Sequence, residues 1–327
     1  MSDILRQAHA LNHTFAIDDL GHSDHKALAI AIQTRLCELG ILDPEIGGNQ
    51  TNTFGPISFG DGQVGINTRN AILAFQRYLQ MQDQHGTMSP AFFRLLADSH
   101  PDTFFDMDLN PLPEDSPQTK FAKRILRYMR KKNQWITRPA DAFNIVYVEG
   151  ANADGSPNLD PPNQWNDRRC VIRILPSGRP EMLVNDQATT EPGKKHTENP
   201  MNPLGAARIA FGQFKAWSVG LHKDTQPAIV QVKPLPVHRD GNRNYLRDKN
   251  DPIDIGLFGI NQHSTNANFS STLIGPHSAG CLVGRLYAYH LSFLEIIKQD
   301  WRYLSNPNYV FISTVINANE LAKLELL

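Results

Sequence analysis

The chain has 327 residues, 40 % hydrophobic and 20 % charged, with 32 basic against 33 acidic side chains. That length suits two domains with real apolar cores. The near-zero charge argues against nucleic acid as the main partner, because phosphate recognition needs clustered positive charge. The 3 cysteines do not make a disulfide scaffold, and no stretch approaches the roughly 18 apolar residues of a membrane span.

The N-terminal stretch MSDILRQAHALNHTFAIDDL has no basic segment followed by an apolar one, so cytosolic synthesis without an export signal is expected. Residues 24–39 place Leu28, Ile32, Leu36 and Leu39 at helical spacing, with Asp24 as the expected cap, Gly40 as a natural stop and Cys37 as a small core residue. A polar, Gly-rich insertion follows. A second helix carries Ile72, Phe75 and Leu79 on one face behind Asn67, its expected cap. A third starts at Ser89, with Pro90 in its first turn. Residues 101–119, rich in Pro and acids, are an expected linker. An amphipathic helix then aligns Phe121, Ile125 and Met129, and its basic run Lys123–Lys132 is expected to be a solvated face.

From Asn144 onward, short alternating or apolar runs separated by Gly, Pro, Asn and Asp predict strands. They include CVIRIL, with Cys170 as a core residue, and GLFGINQH, which would carry His263 at its end. One further helix is predicted after Arg285. The fold class is therefore α+β and multidomain: a small three-helix N-terminal domain (20–100), the linker, and a mostly-β C-terminal domain (120–327).

Two segments carry chemistry. HSAGC puts Cys281 after the small residues Ser278, Ala279 and Gly280. Such a turn lets backbone N–H groups approach a substrate carbonyl, and a helix beginning near Leu282 would favour the thiolate. His263, 18 residues upstream, is the candidate base, with His277 as a competitor. His222 and His238 lie near predicted strands as ordinary surface or core residues. A zinc site lacks the closely spaced ligand pairs it needs. Asp240, Asn242, Asn244, Asp248 and Asp251 have the spacing of a calcium loop. Tyr245 stands where that loop wants Gly, so a polar hairpin is the main expectation and structural calcium the alternative; Asn152–Asp160 is a weaker candidate of the same kind.

The N-terminal pattern Leu39-Gly40-Ile41, Asp61-Gly62-Gln63-Val64-Gly65, Thr68, Ala71 and Phe75-Gln76 resembles the type 1 peptidoglycan-binding domain. The C-terminal pattern, His263 followed by a Gly-, Ser- and Asn-rich loop and then Ser278-x-Gly280-Cys281, resembles the L,D-transpeptidase (YkuD-like) catalytic domain. That resemblance implies Cys281 as nucleophile and His263 as base. Ser278 and Gly280 would form the turn that shapes the oxyanion hole and orients the His. The family usually has Arg two residues after the Cys and Gly after the His; here Val283 and Ser264 stand there, and Arg285 is the nearest arginine. Arg285, His277 and Asn261 are the candidate substrate-binding side chains. Together the resemblances imply a cofactor-free enzyme working on peptidoglycan at the bacterial cell wall, with the binding module raising effective concentration. Transpeptidation and stem-peptide hydrolysis both stay open, as does a non-catalytic wall-binding protein.

Overall fold

A computed structural model describes residues 2–46, 59–82, 86–101 and 106–323. Most of the polar insertion (47–58), part of the segment before Pro90 (83–85) and the start of the expected linker (102–105) lie outside the described residues.

The N-terminal unit holds α1 (Ser2–Ala10), α2 (Lys26–Glu38), α3 (Ile66–Tyr78) and α4 (Pro90–Asp98), with a short pairing of β1 (Phe15–Ala16) and β2 (Thr87–Met88). The sequence pattern anticipated three helices from residue 20. The unit also includes α1, whose Leu5 and Ala8 are buried in the same core as Ile32, Phe75 and Phe92. Ser89 caps α4 as expected, accepting from the Phe92 N–H, with Pro90 at the start. Two other caps differ. α2 starts at Lys26 without a side-chain cap, and α3 starts behind Gly65, leaving Asn67 inside its first turn to accept from Asn306 Nδ2 at 3.0 Å. The Asp-Gly turn has a structural reason. Buried Gln33 of α2 donates to Asp61 Oδ1, the Gln63 carbonyl and Thr68 Oγ1 at 3.1, 2.9 and 3.1 Å. Gln76 does the same for β2, donating to the Thr87 carbonyl at 2.6 Å.

The C-terminal part is a closed eight-stranded barrel joined by a three-stranded antiparallel sheet. Its strands are β3 (Asn144–Glu149), β4 (Asp167–Ile174), β5 (Pro180–Thr189), β7 (Gly212–His222), β8 (Gln226–Gln231), β11 (Gln262–Ser264), β12 (Leu282–Gly284) and β13 (Phe311–Asn317). The barrel runs β11-β12-β5-β4-β3-β13-β7-β8, with β3 parallel to β13 and β11 parallel to β12. The smaller sheet is β6 (Ala206–Ile209), β9 (Leu235–Asp240) and β10 (Ile253–Gly256). All six β3 residues are buried because both faces are covered. Ile145 and Tyr147 join the cluster around Trp217, while Val146 and Val148 pack with α5 (Pro117–Lys131) through Phe121, Ile125 and Met129. The chain also has a short helix α6 (Lys194–Glu198) and ends its described part with α7 (Tyr287–Ile297), α8 (Trp301–Ser305) and α9 (Ala318–Lys323).

Two expectations need correction here. Lys123 is not on a solvated face: it is fully buried and paired with Asp108 and Asp115 at 2.8 and 2.9 Å. The second half of the expected linker is accordingly packed structure, with Met107 and Leu109 buried and the Asp108 N–H bonded to the Gly178 carbonyl. The helical unit and the barrel are docked. Trp135 Nε1 donates to the Cys37 carbonyl, and the Thr137 hydroxyl and Arg138 N–H both reach the Gly40 carbonyl. Asp43 bonds Arg302 at 2.8 Å and also the Tyr309 hydroxyl. Among the described residues, no helix is long and apolar enough to cross a membrane.

Candidate active site

The run GLFGINQH is not one strand. Its first residue, Gly256, ends β10, and Gln262 and His263 lie in β11. The parallel pairing sets Gln262 opposite Leu282 and His263 opposite Val283. Extending that register sets Cys281 beside Asn261, two positions from His263, so the Cys and His side chains leave the same face. Both line one cleft of about 440 Å³, between this edge of the barrel and the β6–β9 sheet. The two residues the sequence separated by a loop are thus brought together. Cys281 is not at a helix N-terminus, however: Leu282–Gly284 is a strand, and α7 starts only at Tyr287. Helix dipole stabilisation of the thiolate is therefore absent.

Ser278 closes the turn before the Cys. Its hydroxyl donates to the Cys281 carbonyl at 2.9 Å and accepts from the Gly280 N–H at 3.1 Å. The Gly280 N–H is thereby occupied. Gly280 itself has φ +129°, and a Cβ there would sit 2.5 Å from the Ala207 carbonyl oxygen. The bonds of Ser278 run to Cys281 and Gly280, and other groups hold His263. Its Nδ1 contacts the Ser264 carbonyl at 2.8 Å. A carbonyl only accepts, so Nδ1 carries the proton and Nε2 of the neutral ring is bare. The His222 ring stacks on it, with centroids 3.9 Å apart and planes 8° apart.

His222 is fixed in turn by Asn261. The Asn261 Oδ1 accepts from the Gln231 N–H at 2.9 Å, which sets the amide orientation. Its Nδ2 therefore donates to His222 Nδ1, also at 2.9 Å. Asn261 is thus placed against His222 and is not among the described residues lining the cleft. Arg285 is displaced from the site as well. It lies past the far end of β12, bonded to Gln187 at 2.7 Å, and lines a different cavity. His277 does line the cleft, edge-on to Phe269. Among the described residues lining the cleft, Lys223 and Arg239 carry positive charge and none is acidic. Arg239 stacks over Phe258 and pairs with Asp254 at 2.8 Å. Sequence reasoning missed His222, Lys223 and Arg239 as site residues, because the β7–β8 hairpin and the second sheet that carry them come together only in the tertiary fold.

Burial sets the resting charge state. It pushes the Cys281 thiol up to about 11, against the pull of the Asn261 backbone N–H and Lys223. It pulls His263 down to about 3, helped by His222 and opposed by the Ser264 carbonyl. The free site holds a neutral thiol, donating to the Gly259 carbonyl at 3.3 Å, and a neutral imidazole in the same cleft.

The calcium-loop oxygens serve the chain itself. Asp240 is buried against Arg208 and accepts the Asn244 and Tyr245 N–H groups. Asn242 and Asn244 donate to Asp248, and Asp251 accepts the Asp248 N–H. The loop joins the antiparallel pair β9 and β10. In the Asn152–Asp160 segment, Asp154 likewise accepts from Ser156. Among the described residues, Glu149, Asp160 and Glu191 bring one oxygen each within 4.8 Å of one another. Arg247 and Arg208 already bond Glu149 and Glu191 there, so a cation would compete with two guanidiniums.

No protein-family model matches the chain, and no curated protein matches its sequence.

Proposed function

We propose that the protein is a cysteine acyltransferase. Cys281 is its nucleophile and His263 its general base. More particularly, we propose the L,D-transpeptidase-like reaction on peptidoglycan stem peptides, following the two sequence resemblances. The observation that carries the chemistry is that Cys281 and His263 line one cleft, with His263 held in the tautomer that leaves Nε2 free to accept a proton.

Binding of the substrate displaces water from the cleft and brings its carbonyl carbon to Sγ. The thiol proton passes to His263 Nε2 as Sγ bonds to carbon, giving a tetrahedral oxyanion. The Cys281 N–H has no acceptor among the described residues and is the available donor to that oxygen. Collapse breaks the C–N bond, and the imidazolium gives its proton to the departing amine. An acceptor amine then attacks the thioester, losing its proton to His263, and Cys281 leaves and is reprotonated. Water in place of the amine gives hydrolysis. Lys223 suits a substrate bearing a carboxylate.

Mass spectrometry of purified muropeptides incubated with the protein tests this. New cross-linked or exchanged species are expected, and shortened stems identify the hydrolytic branch. Cys281→Ala is expected to abolish turnover, and iodoacetamide to label Cys281 with loss of activity. Full turnover in Cys281→Ala sinks the reading.

A further inference from the structure

Outside the cleft, a cavity of about 360 Å³ opens on the outer face of β4, β5 and β12, lined by Arg168, Asn185, Asp186, Gln187, Arg285 and Tyr289. It explains where Arg285 goes. In the β4–β5 ladder Arg168 is directly opposite Gln187. In the β5–β12 ladder Gly284 is opposite Ala188, and the Arg285 N–H continues that ladder onto the Gln187 carbonyl at 2.9 Å. Arg168, Gln187 and Arg285 therefore form one row across three strands. Neighbouring strands are about 4.8 Å apart, so the two arginines start about 10 Å apart on either side of Gln187.

Both guanidiniums are held but not neutralised. Arg168 Nε donates to Asn185 Oδ1 at 2.7 Å, and Arg285 Nη1 to Gln187 Oε1 at 2.7 Å. These partners are neutral amides. The nearest carboxylate, Asp186, is taken by the fully buried Arg169 at 3.0 Å. Among the described residues neither Arg168 nor Arg285 has an ion pair, and Arg285 Nε is buried with no hydrogen-bond partner. Burial pulls the Arg168 guanidinium below its ordinary value, against the opposing pull of Cys170 and Asp186. The first turn of α7, which has no side-chain cap, borders the cavity through Leu286 and Tyr289. Two arginine forks fixed in direction by amides face one cavity whose lining carboxylate, Asp186, is paired with Arg169 instead, and they form a preorganised receptor for a tetrahedral oxyanion.

We propose that this cavity is a phosphate-binding site, in which Arg168 and Arg285 hold the phosphate group. Tyr289, 55 % exposed at the rim, covers any organic part attached to it. The site is independent of the reaction at Cys281, and nothing in it requires that reaction.

Calorimetric titration of the full-length protein at constant ionic strength tests it, with inorganic phosphate in one arm and glycerol 3-phosphate in the other. Saturable one-site binding is expected, weakened about tenfold or more in Arg285→Gln and in Arg168→Gln. Arg285→Lys, which keeps the charge and loses the fork, is expected to fall between. Thermal melts of each variant separate lost binding from lost folding. Tyr289→Ala distinguishes the sources: it weakens the ester alone if an ester is the ligand, and neither arm if free phosphate is. Lys223→Gln, in the other cleft, is expected to leave both arms unchanged. Absence of saturable binding in both arms overturns the proposal. So does undiminished affinity in a folded Arg285→Gln protein, or binding lost with Lys223→Gln instead.

Discussion

Gly280 shows how narrowly the turn before Cys281 is built. Its φ of +129° suits glycine, and the atom a Cβ would strike is a backbone oxygen, which cannot rotate away. Gly280→Ala is expected to cost about 2–4 kcal/mol in chemical denaturation and to displace Cys281. His222 acts through His263. With the stacked ring gone, His263 loses one of the influences that hold it low. His222→Ala is therefore expected to move the acid limb of kcat/KM upward and to lower kcat about tenfold with little change in KM. His222→Phe keeps the stack and is expected to recover part of the loss. The sign for stability follows from the same burial. His263 and His290 are both held near 3 in the folded protein, against an ordinary value of 6.5. Between those values the unfolded chain binds protons that the folded chain does not. Their neutral burial is harmless above about pH 6.5, and stability is lost as pH falls from there toward 3. Urea melts across that window are expected to show the decline, and a flat profile contradicts the assignment.

At the level of elements, three-residue strands decide where the chemistry sits. β11 and β12 are too short to announce themselves by alternation, and the apolar residues after Cys281 fit a strand or a helix start equally well. Tertiary pairing selected the strand, since β12 is hydrogen-bonded between β11 and β5. The same competition explains Lys123. On a helical wheel it belongs to a basic run, yet it faces the 106–116 segment, whose Asp108 and Asp115 lie close only when that segment folds back. Lys123→Met leaves Asp115, whose side chain is 3 % exposed, buried without its main partner. The expected loss is about 3–5 kcal/mol, and pairing it with Asp115→Asn is expected to restore part of it in thermal melts.

For the whole molecule, the docking of the two units changes what the proposed binding module would do for the barrel. A flexible tether raises local concentration, whereas a docked unit fixes one orientation of any bound polymer relative to the cleft. Asp43 is central to that contact, because it neutralises Arg302 together with Asp300 and accepts from Tyr309. Calorimetry is expected to show both units unfolding in one transition. Asp43→Ala, which removes a buried ion-pair partner, is expected to cost about 3–5 kcal/mol and to split that transition in two. A second link is Glu45, which pairs Lys215 and Lys233 at 2.9 and 3.0 Å.

Local pattern alone determined much of this protein. Helical periodicity located α2, α3, α4 and α5, β-rich runs located most barrel strands, and the Ser-Ala-Gly-Cys turn with His263 marked the pair that shares the cleft. These signals survive in sequence because each is written in residues close together: a 3.6-residue stripe, a two-residue alternation, a capping Ser89. Only the tertiary structure decided the rest. Barrel closure brought His222 and Lys223 to the cleft of Cys281, packing of the second sheet brought Arg239, and strand register carried Arg285 away to Gln187 and Arg168. Burial then left the thiol and the imidazole uncharged. Register, burial and long-range pairing depend on which surfaces meet, and residues distant along the chain carry no local mark of that meeting.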